Sequence, residues 1–318
     1  VQAEALANVT AAELIDQMGG QKAPLHVLEP AVAAPIPTDD IRPPTSRPAR
    51  ALMLGIFGLI LGIGSAFAVE RFDNRVWVKG TAEEVLGVPV LAEVPSIPRA
   101  DRDRIVTGSE RSPVVEAFRG LRTGVMCFTE GRGNGGGPRV IAVTSATEGE
   151  GKTTTVALLA ATLAEVGYSA VTISADFRRP QLQRFFDRAL EPGLSDVLRG
   201  APDVRRLSDL NTATGIRGVR FVASGAPVPN PGPLINQLAD HLGEARDLGE
   251  YVLVDTPPLL VASEAADLAR QADAALLVVR AGRTSVGAAA RASEMLRRLN
   301  VPVLGAVLVG ADASPRRR

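Results

Sequence analysis

The residues best suited to chemistry lie in one run, Val140 to Thr155, which reads VIAVTSATEGEGKTTT. Holding a phosphate needs a tight glycine turn, a cation and a hydroxyl in that order, because backbone N–H groups must converge on the anion while a side-chain cation and a metal-holding oxygen complete its shell. Gly149, Gly151, Lys152 and Thr153 supply that order. The candidate nucleotide contacts are Glu148, Gly149, Glu150, Gly151, Lys152, Thr153 and Thr154, with Lys152 reaching the β- and γ-phosphates and Thr153 holding Mg²⁺ through its hydroxyl. Ala146 replaces the first glycine of the GxxxxGK[ST] consensus and leaves the phosphate-facing glycines in place. The chain has three lysines, Lys22, Lys79 and Lys152, and one falls where such a loop demands it.

Two further stretches end in charge. YVLVD closes an apolar run on Asp255, where a carboxylate can orient Mg²⁺ or its water, and ISADFRRP places Asp176, Arg178 and Arg179 just past Ser174. An acid at a strand end can also cap a helix, but beside a phosphate loop the metal role is favoured.

These side chains need a scaffold that brings several strand ends together. Val140 to Thr144 reads as a buried strand, and a helix starts near Thr153 and runs through Val166. Further strands are expected at Ala170–Ser174, Val219–Ala223, Tyr251–Asp255, Ala274–Val279 and Val303–Val309, with helices at Leu234–Leu248, Ser263–Arg270 and Ser285–Leu299. Alternation of this kind gives an α/β, three-layer fold with a mainly parallel sheet covered on both faces. Ligands bind such sheets beyond the carboxyl ends of the strands. Val309 and Gly310, at the end of the last strand, carry no side-chain amide to read a base.

Upstream, a short helical pattern around Ala11–Met18 and a strand-like Leu25–Leu28 precede a proline-rich run from Pro30 to Pro48, which cannot form a core. Ala51 to Val69 follows without a charge, and at about 1.5 Å per residue it matches a bilayer of about 30 Å. It reads as a transmembrane helix rather than a buried core helix, being apolar all round and bracketed by Arg50, Glu70 and Arg71. Gly58, Gly62 and Ala66 have the spacing that lets a second helix approach. Arginines lie on both sides, so orientation comes from chemistry: ATP is cytoplasmic and the phosphate loop is C-terminal to the helix. Val1 in place of Met suggests either a processed chain or, the favoured expectation, the C-terminal part of a longer one.

Residues 71–112 read as a charged connector. Within it Thr81 and Glu84 form a capping box, Gly87 stops that turn and Pro89–Val94 is strand-like. Ser112 and Pro113 open a helix through about Phe128 that carries Glu116, Arg119 and Arg122 at intervals of three, either a solvated face or a contact surface. Gly131–Pro138 is a flexible loop.

Composition narrows the function. The chain of 318 residues is 46% hydrophobic and 22% charged, enough for one sizeable core with appendages. Zero net charge and 4% aromatic residues argue against nucleic acid. Cys127 cannot pair internally, and His26 and His241 form no metal cluster.

Taken together, TSATEGEGKTT, ISADFRRP and LVDTPPLL, with EAFRGLRT ahead of them and SGAPVPNP between, resemble the bacterial tyrosine kinases of the polysaccharide co-polymerase group, over roughly Ala51 to Gly310. The resemblance implies a P-loop NTPase fold of that three-layer kind, preceded by one transmembrane helix. It divides the chain into an extracytoplasmic end (1–50), a membrane helix (51–70), a cytoplasmic connector (71–112), a kinase-like domain (113–310) and a basic tail (311–318). It further implies ATP and Mg²⁺ as cofactors, and a plasma-membrane protein whose catalytic domain faces the cytoplasm. Lys152, Asp176, Asp255 and Arg178 become the catalytic set, Thr153, Asp176 and Asp255 the metal set, and Glu116, Arg119 and Arg122 a ring interface between subunits. The implied partners are further copies of the chain, the membrane, the polysaccharide export machinery and proteins bearing acceptor tyrosines.

Two positions depart from that family pattern. Ser174 stands where the first carboxylate of the second motif is expected, which weakens a base or metal role, and the chain ends GADASPRRR without the family's tyrosine cluster. The expected activity is therefore ATP-dependent tyrosine phosphorylation, with a nucleotide-sensing scaffold that regulates polymer length as the alternative. A partition-type ATPase is set aside because Thr147 occupies the position of its second lysine.

Overall fold

The computed structural model describes residues 2–18, 46–72, 74–97, 112–130 and 140–313. It divides into two compact units, Val1–Glu70 and Arg71–Arg318. The expectations for Leu25–Leu28, the proline-rich run up to residue 45, the loop Gly131–Pro138 and the end of the basic tail lie outside the described residues.

In the first unit, helix α1 (Gln2–Met18) is longer than the expected Ala11–Met18, and α2 (Arg47–Phe72) contains the whole uncharged run. Residues 51–65 of α2 are exposed, and the helix is long and apolar enough to cross a membrane by length and composition. Its one hydroxyl in that stretch, Ser65, donates to Leu61 O at 2.6 Å, so no polar group is offered to the surroundings there.

The second unit is a three-layer α/β sandwich. Helix α3 (Lys79–Leu86) starts two residues before Thr81, with Val78 as N-cap, so the expected Thr81–Glu84 capping box does not form; Gly87 closes the helix in the left-handed conformation as expected. Strand β1 (Val90–Val94) then joins the sheet beside the last strand, so the stretch read as a connector supplies an edge. Helix α4 (Pro113–Glu130) follows, with the Ser112 hydroxyl accepting from Val114 N at 3.3 Å.

Strand β2 (Val140–Ser145) and helix α5 (Lys152–Glu165) flank the glycine loop. Strands β3 (Ala170–Ser174), β4 (Thr212–Ala213), β5 (Val219–Val222), β6 (Tyr251–Asp255), β7 (Ala274–Arg280) and β8 (Val303–Val309) complete a sheet of order β1-β8-β7-β2-β6-β3-β5-β4. All neighbours are parallel except β4, a two-residue edge strand antiparallel to β5. Helices α6 (Leu194–Leu198) and α7 (Leu207–Leu210) fill the long β3–β5 connection, and α8 (Gly232–Leu248), α9 (Glu264–Gln271) and α10 (Val286–Arg298) follow in turn.

The alternation of strand side chains builds the two outer layers. Ile141 and Val143 face the core of α4 and α5 with Phe118, Leu121, Val156 and Leu159, whereas Val140 and Ala142 point to the opposite cores with α3, α8, α9 and α10. Because β2 is buried on both faces along its whole length, it fixes the place where the loop leaves the sheet.

Candidate nucleotide-binding site

The loop rises from the carboxyl end of β2, the central position at which ligands meet parallel sheets. Gly151 is the N-cap of α5 at φ 109°, and Thr155 N donates to its carbonyl at 2.9 Å, so the helix's positive end opens into the loop. Gly149 has φ 73°, a left-handed conformation that favours glycine, whereas the Arg283 guanidinium, 3.0 Å from where a Cβ would stand, is the end of a side chain that can give way.

Register places the carboxylate next to that loop. β6 pairs with β2 so that Asp255 lies opposite Val143, and with β3 so that it lies opposite Ser174. Thr256 N and its hydroxyl donate to Val143 O at 3.3 and 3.0 Å, and Leu259 N donates to Ser145 O at 2.8 Å, tying the chain after Asp255 to the loop strand.

Asp255 is 1% exposed, and neither of its carboxylate oxygens has a hydrogen-bond partner of normal geometry; the buried hydroxyl of Ser174 is likewise unpartnered. Burial pushes the Asp255 carboxyl up to about 7, opposed by the Lys152 charge and the Thr153 hydroxyl and reinforced by Asp176. Lys152, almost buried, donates to Ser145 Oγ at 3.2 Å. Unsatisfied buried oxygens facing a lysine at a helix N-terminus are the donor set that a phosphate-bound divalent cation would complete, so the residues fit Mg²⁺ with a nucleotide.

Lys152, Thr153 and Asp255 are thus brought together, with Asp176 near enough for its charge to act on Asp255. Asp176 also accepts Arg179 N at 3.0 Å. Arg178 is directed elsewhere, its Nε donating to Glu264 Oε1 at 2.5 Å, and that carboxylate, 3% exposed, keeps the guanidinium firmly protonated. Arg179 pairs with Glu148 across the loop at 2.6 Å. Glu150 does not face the site: it is fully buried and accepts from Thr147 N and Oγ1, both at 2.9 Å, and from the Thr284 hydroxyl.

Four site elements were not read from the sequence: the inward turn of Glu150, and the roles of Thr284, Arg280 and Glu264. The Thr147-x-x-Glu150 spacing, that of a capping box, was a signal for the first. Arg280 Nη1 donates to Gly149 O at 3.0 Å from the end of β7. Beside Thr154 lies a small open depression bordered by Val94, Ile97, Phe118, Arg280, Val309 and Gly310, with a volume of about 20 Å³.

Glu116, Arg119 and Arg122 lie on one face of α4. Arg119 pairs with Glu116 and Glu165, and Arg122 donates to Thr162 O at 2.9 Å and to Glu165 at 3.3 Å. The two arginines hold the Glu165 carboxyl below its ordinary range. They lock α4 to α5 within one chain, while Glu116 stays exposed.

Comparison with known proteins agrees with this architecture. The ParA family model, described as NUBPL iron-transfer P-loop NTPase, matches residues 138–309. The chain is 29% identical over 298 residues to EpsB of Ralstonia solanacearum, covering 89% of this chain. It spans only 38% of the length of that curated relative. It is 32% identical over 196 residues to the tyrosine-protein kinase CpsD of Streptococcus agalactiae, covering 61% of this chain and 81% of CpsD. The solved kinase domain of the Escherichia coli tyrosine kinase ETK is 29% identical, with TM-score 0.63 over 72% of this chain and 92% of that one.

Proposed function

The chain belongs to the bacterial tyrosine-kinase family of ParA-type P-loop proteins, and from that premise we propose that residues 113–310 form an ATP-dependent protein-tyrosine kinase domain. We further propose that it serves a membrane polysaccharide co-polymerase in capsule or exopolysaccharide synthesis and export, with α2 in the plasma membrane and the kinase domain in the cytoplasm. The supporting observation is the buried, unpartnered Asp255 carboxylate on the strand beside the loop that carries Lys152.

Mg²⁺, when bound with ATP, neutralises charge on the β- and γ-phosphate oxygens. The chain's own groups do the rest. The N–H groups of Gly149 to Thr154 and the α5 terminus cradle the phosphates, Lys152 exchanges Ser145 for them, and Thr153 and Asp255 face the cation. Asp176, half-buried, stands where it can orient the acceptor hydroxyl. Arg178 serves by fixing the segment after β3 through Glu264, and Arg179, on the rim, is the arginine free to turn from Glu148 toward developing charge.

The test uses the full chain in detergent with Mg²⁺, γ-labelled ATP and a tyrosine-rich acceptor polypeptide. Phosphotyrosine should form, and its rate should fall at least about 100-fold in Lys152→Met. Absence of phosphotyrosine, or a Lys152→Met chain as active as the parent, contradicts the reading.

A second reading, an ATP-binding scaffold that regulates polymer length by ring assembly through Glu116, Arg119 and Arg122, draws support from Ser174. A serine there supplies no carboxylate, and of the two tyrosines Tyr251 is 5% exposed with its hydroxyl bonded to Thr129 at 3.0 Å. The same assay separates the two, since a scaffold binds ATP without turnover.

A further inference from the structure

Charge surrounds the phosphate loop, and most of it is matched within the chain. Glu148 pairs with Arg179 at 2.6 Å. The buried Glu150 carboxylate accepts from Thr147 N and Oγ1 and from the Thr284 hydroxyl. Arg280, at the end of β7, donates to Gly149 O at 3.0 Å, and the almost buried Lys152 donates to Ser145 Oγ at 3.2 Å.

Arg283 is the exception. It lies just past the end of β7 and is exposed, and among the described residues no carboxylate or other acceptor meets its guanidinium. Its backbone is anchored, Arg283 N donating to Arg280 O at 3.1 Å, but the side chain is left to turn. Its head nonetheless rests on the loop: Nη2, Cζ and Nη1 stand 3.0, 3.1 and 3.3 Å from the point where a Cβ of residue 149 would lie. Two guanidinium groups thus converge on one glycine, Arg280 on its carbonyl and Arg283 over its α-carbon, beside the positive end of α5. Like charges brought together at a helix N-terminus are stabilised when an anion joins them. An arginine suits that anion when it is a phosphate, because the planar fork bonds two oxygens at once while a lysine offers a point charge.

We propose that Arg283 contacts the phosphate chain of the bound nucleotide, closing over it from the solvent side while Lys152 holds it from within. The group recognised is a polyphosphate, and the contact rests on the nucleotide site proposed above. Arg283 needs to leave no partner to make it, unlike Arg179, which must first part from Glu148.

The test titrates the full chain in detergent with Mg–ATP and with magnesium tripolyphosphate, which has the phosphates without the nucleoside, for the parent, Arg283→Ala and Arg283→Lys. Arg283→Ala should weaken both ligands by a similar factor of about ten or more, the loss of one charge-assisted hydrogen bond. Arg283→Lys should recover part of that loss for both. Raising the salt concentration should narrow the gap between the parent and Arg283→Ala, since an exposed charge pair is screened. Without ligand the melting temperature of Arg283→Ala should match the parent's, because an exposed side chain that bonds to nothing supports nothing in the empty chain. Should the parent bind Mg–ATP and Arg283→Ala bind it equally well, the contact is overturned and the nucleotide site stands. A loss confined to Mg–ATP, with tripolyphosphate bound as before, puts the guanidinium on the nucleoside and overturns the phosphate contact. A lower melting temperature in the unliganded variant, with binding not recovered by Arg283→Lys, gives the arginine a structural role and overturns it too. If the parent binds no Mg–ATP, the nucleotide reading fails and the tripolyphosphate titration still decides Arg283, while a parent that binds neither ligand refutes both.

Discussion

At position 255 a carboxylate is buried with neither oxygen in a hydrogen bond of normal geometry, a cost that a folded chain carries only where something else offsets it. Its proton affinity gives a prediction. The ordinary value is 3.8 and the folded value about 7, so between them the folded chain keeps a proton that the unfolded chain has released. The stabilising share of this group is complete below about pH 4 and is lost as pH rises to about 7. Asp255→Asn has no such group. Its stability, followed by melting in detergent without nucleotide, should therefore gain on the parent from about pH 4 to about pH 7, up to a ceiling on the order of 4 kcal/mol. A difference that stays flat with pH contradicts the assignment. That Lys152, Thr153 and Asp255 would be brought together was legible in the sequence, because the glycine loop follows one apolar strand and Asp255 closes another. Glu150 was not, since its inward turn depends on Thr284, 134 residues away in the chain. Arg178 also escaped: the sequence places it past β3 but cannot show Glu264 claiming it.

Among the elements, the central strands were readable almost to the residue, since Ala170–Ser174, Tyr251–Asp255 and Val303–Val309 are continuous apolar runs buried on both faces. What was not readable lies at the edges. The short helices α6 and α7 and the two-residue β4 have too few residues to show a period; the strand at Pro89–Val94 was readable, but its place at the sheet edge was not, because that depends on its distant partner β8. Helix α4 packs its buried stripe, with Phe118 at its centre, on α5, and Phe118 also borders the small depression beside Thr154. Phe118→Ala should cost about 3–5 kcal/mol in denaturant unfolding and weaken nucleotide binding together with it. A loss of stability with unchanged Mg–ATP affinity would separate that depression from the nucleotide. The arginines of α4 are weaker determinants, because partly exposed ion pairs contribute little.

At the scale of the whole molecule, one chain joins an apolar helix of membrane-spanning length to an α/β unit that carries the phosphate loop. The helix was plain in the sequence from nineteen uncharged residues, whereas its orientation, with arginines on both sides, came only from the chemistry of ATP. Since the chain spans 38% of EpsB, its place in a larger machine is a proposal, and the nucleotide site is the part on which that proposal stands. The most direct measurement is calorimetric titration of ATP into the full chain with and without Mg²⁺, repeated for Lys152→Met and Asp255→Asn. The account predicts saturable binding to one site per chain that depends on Mg²⁺ and weakens at least about tenfold, some 1.4 kcal/mol, in either variant. No binding by the parent chain, or variants that bind as tightly, would contradict it.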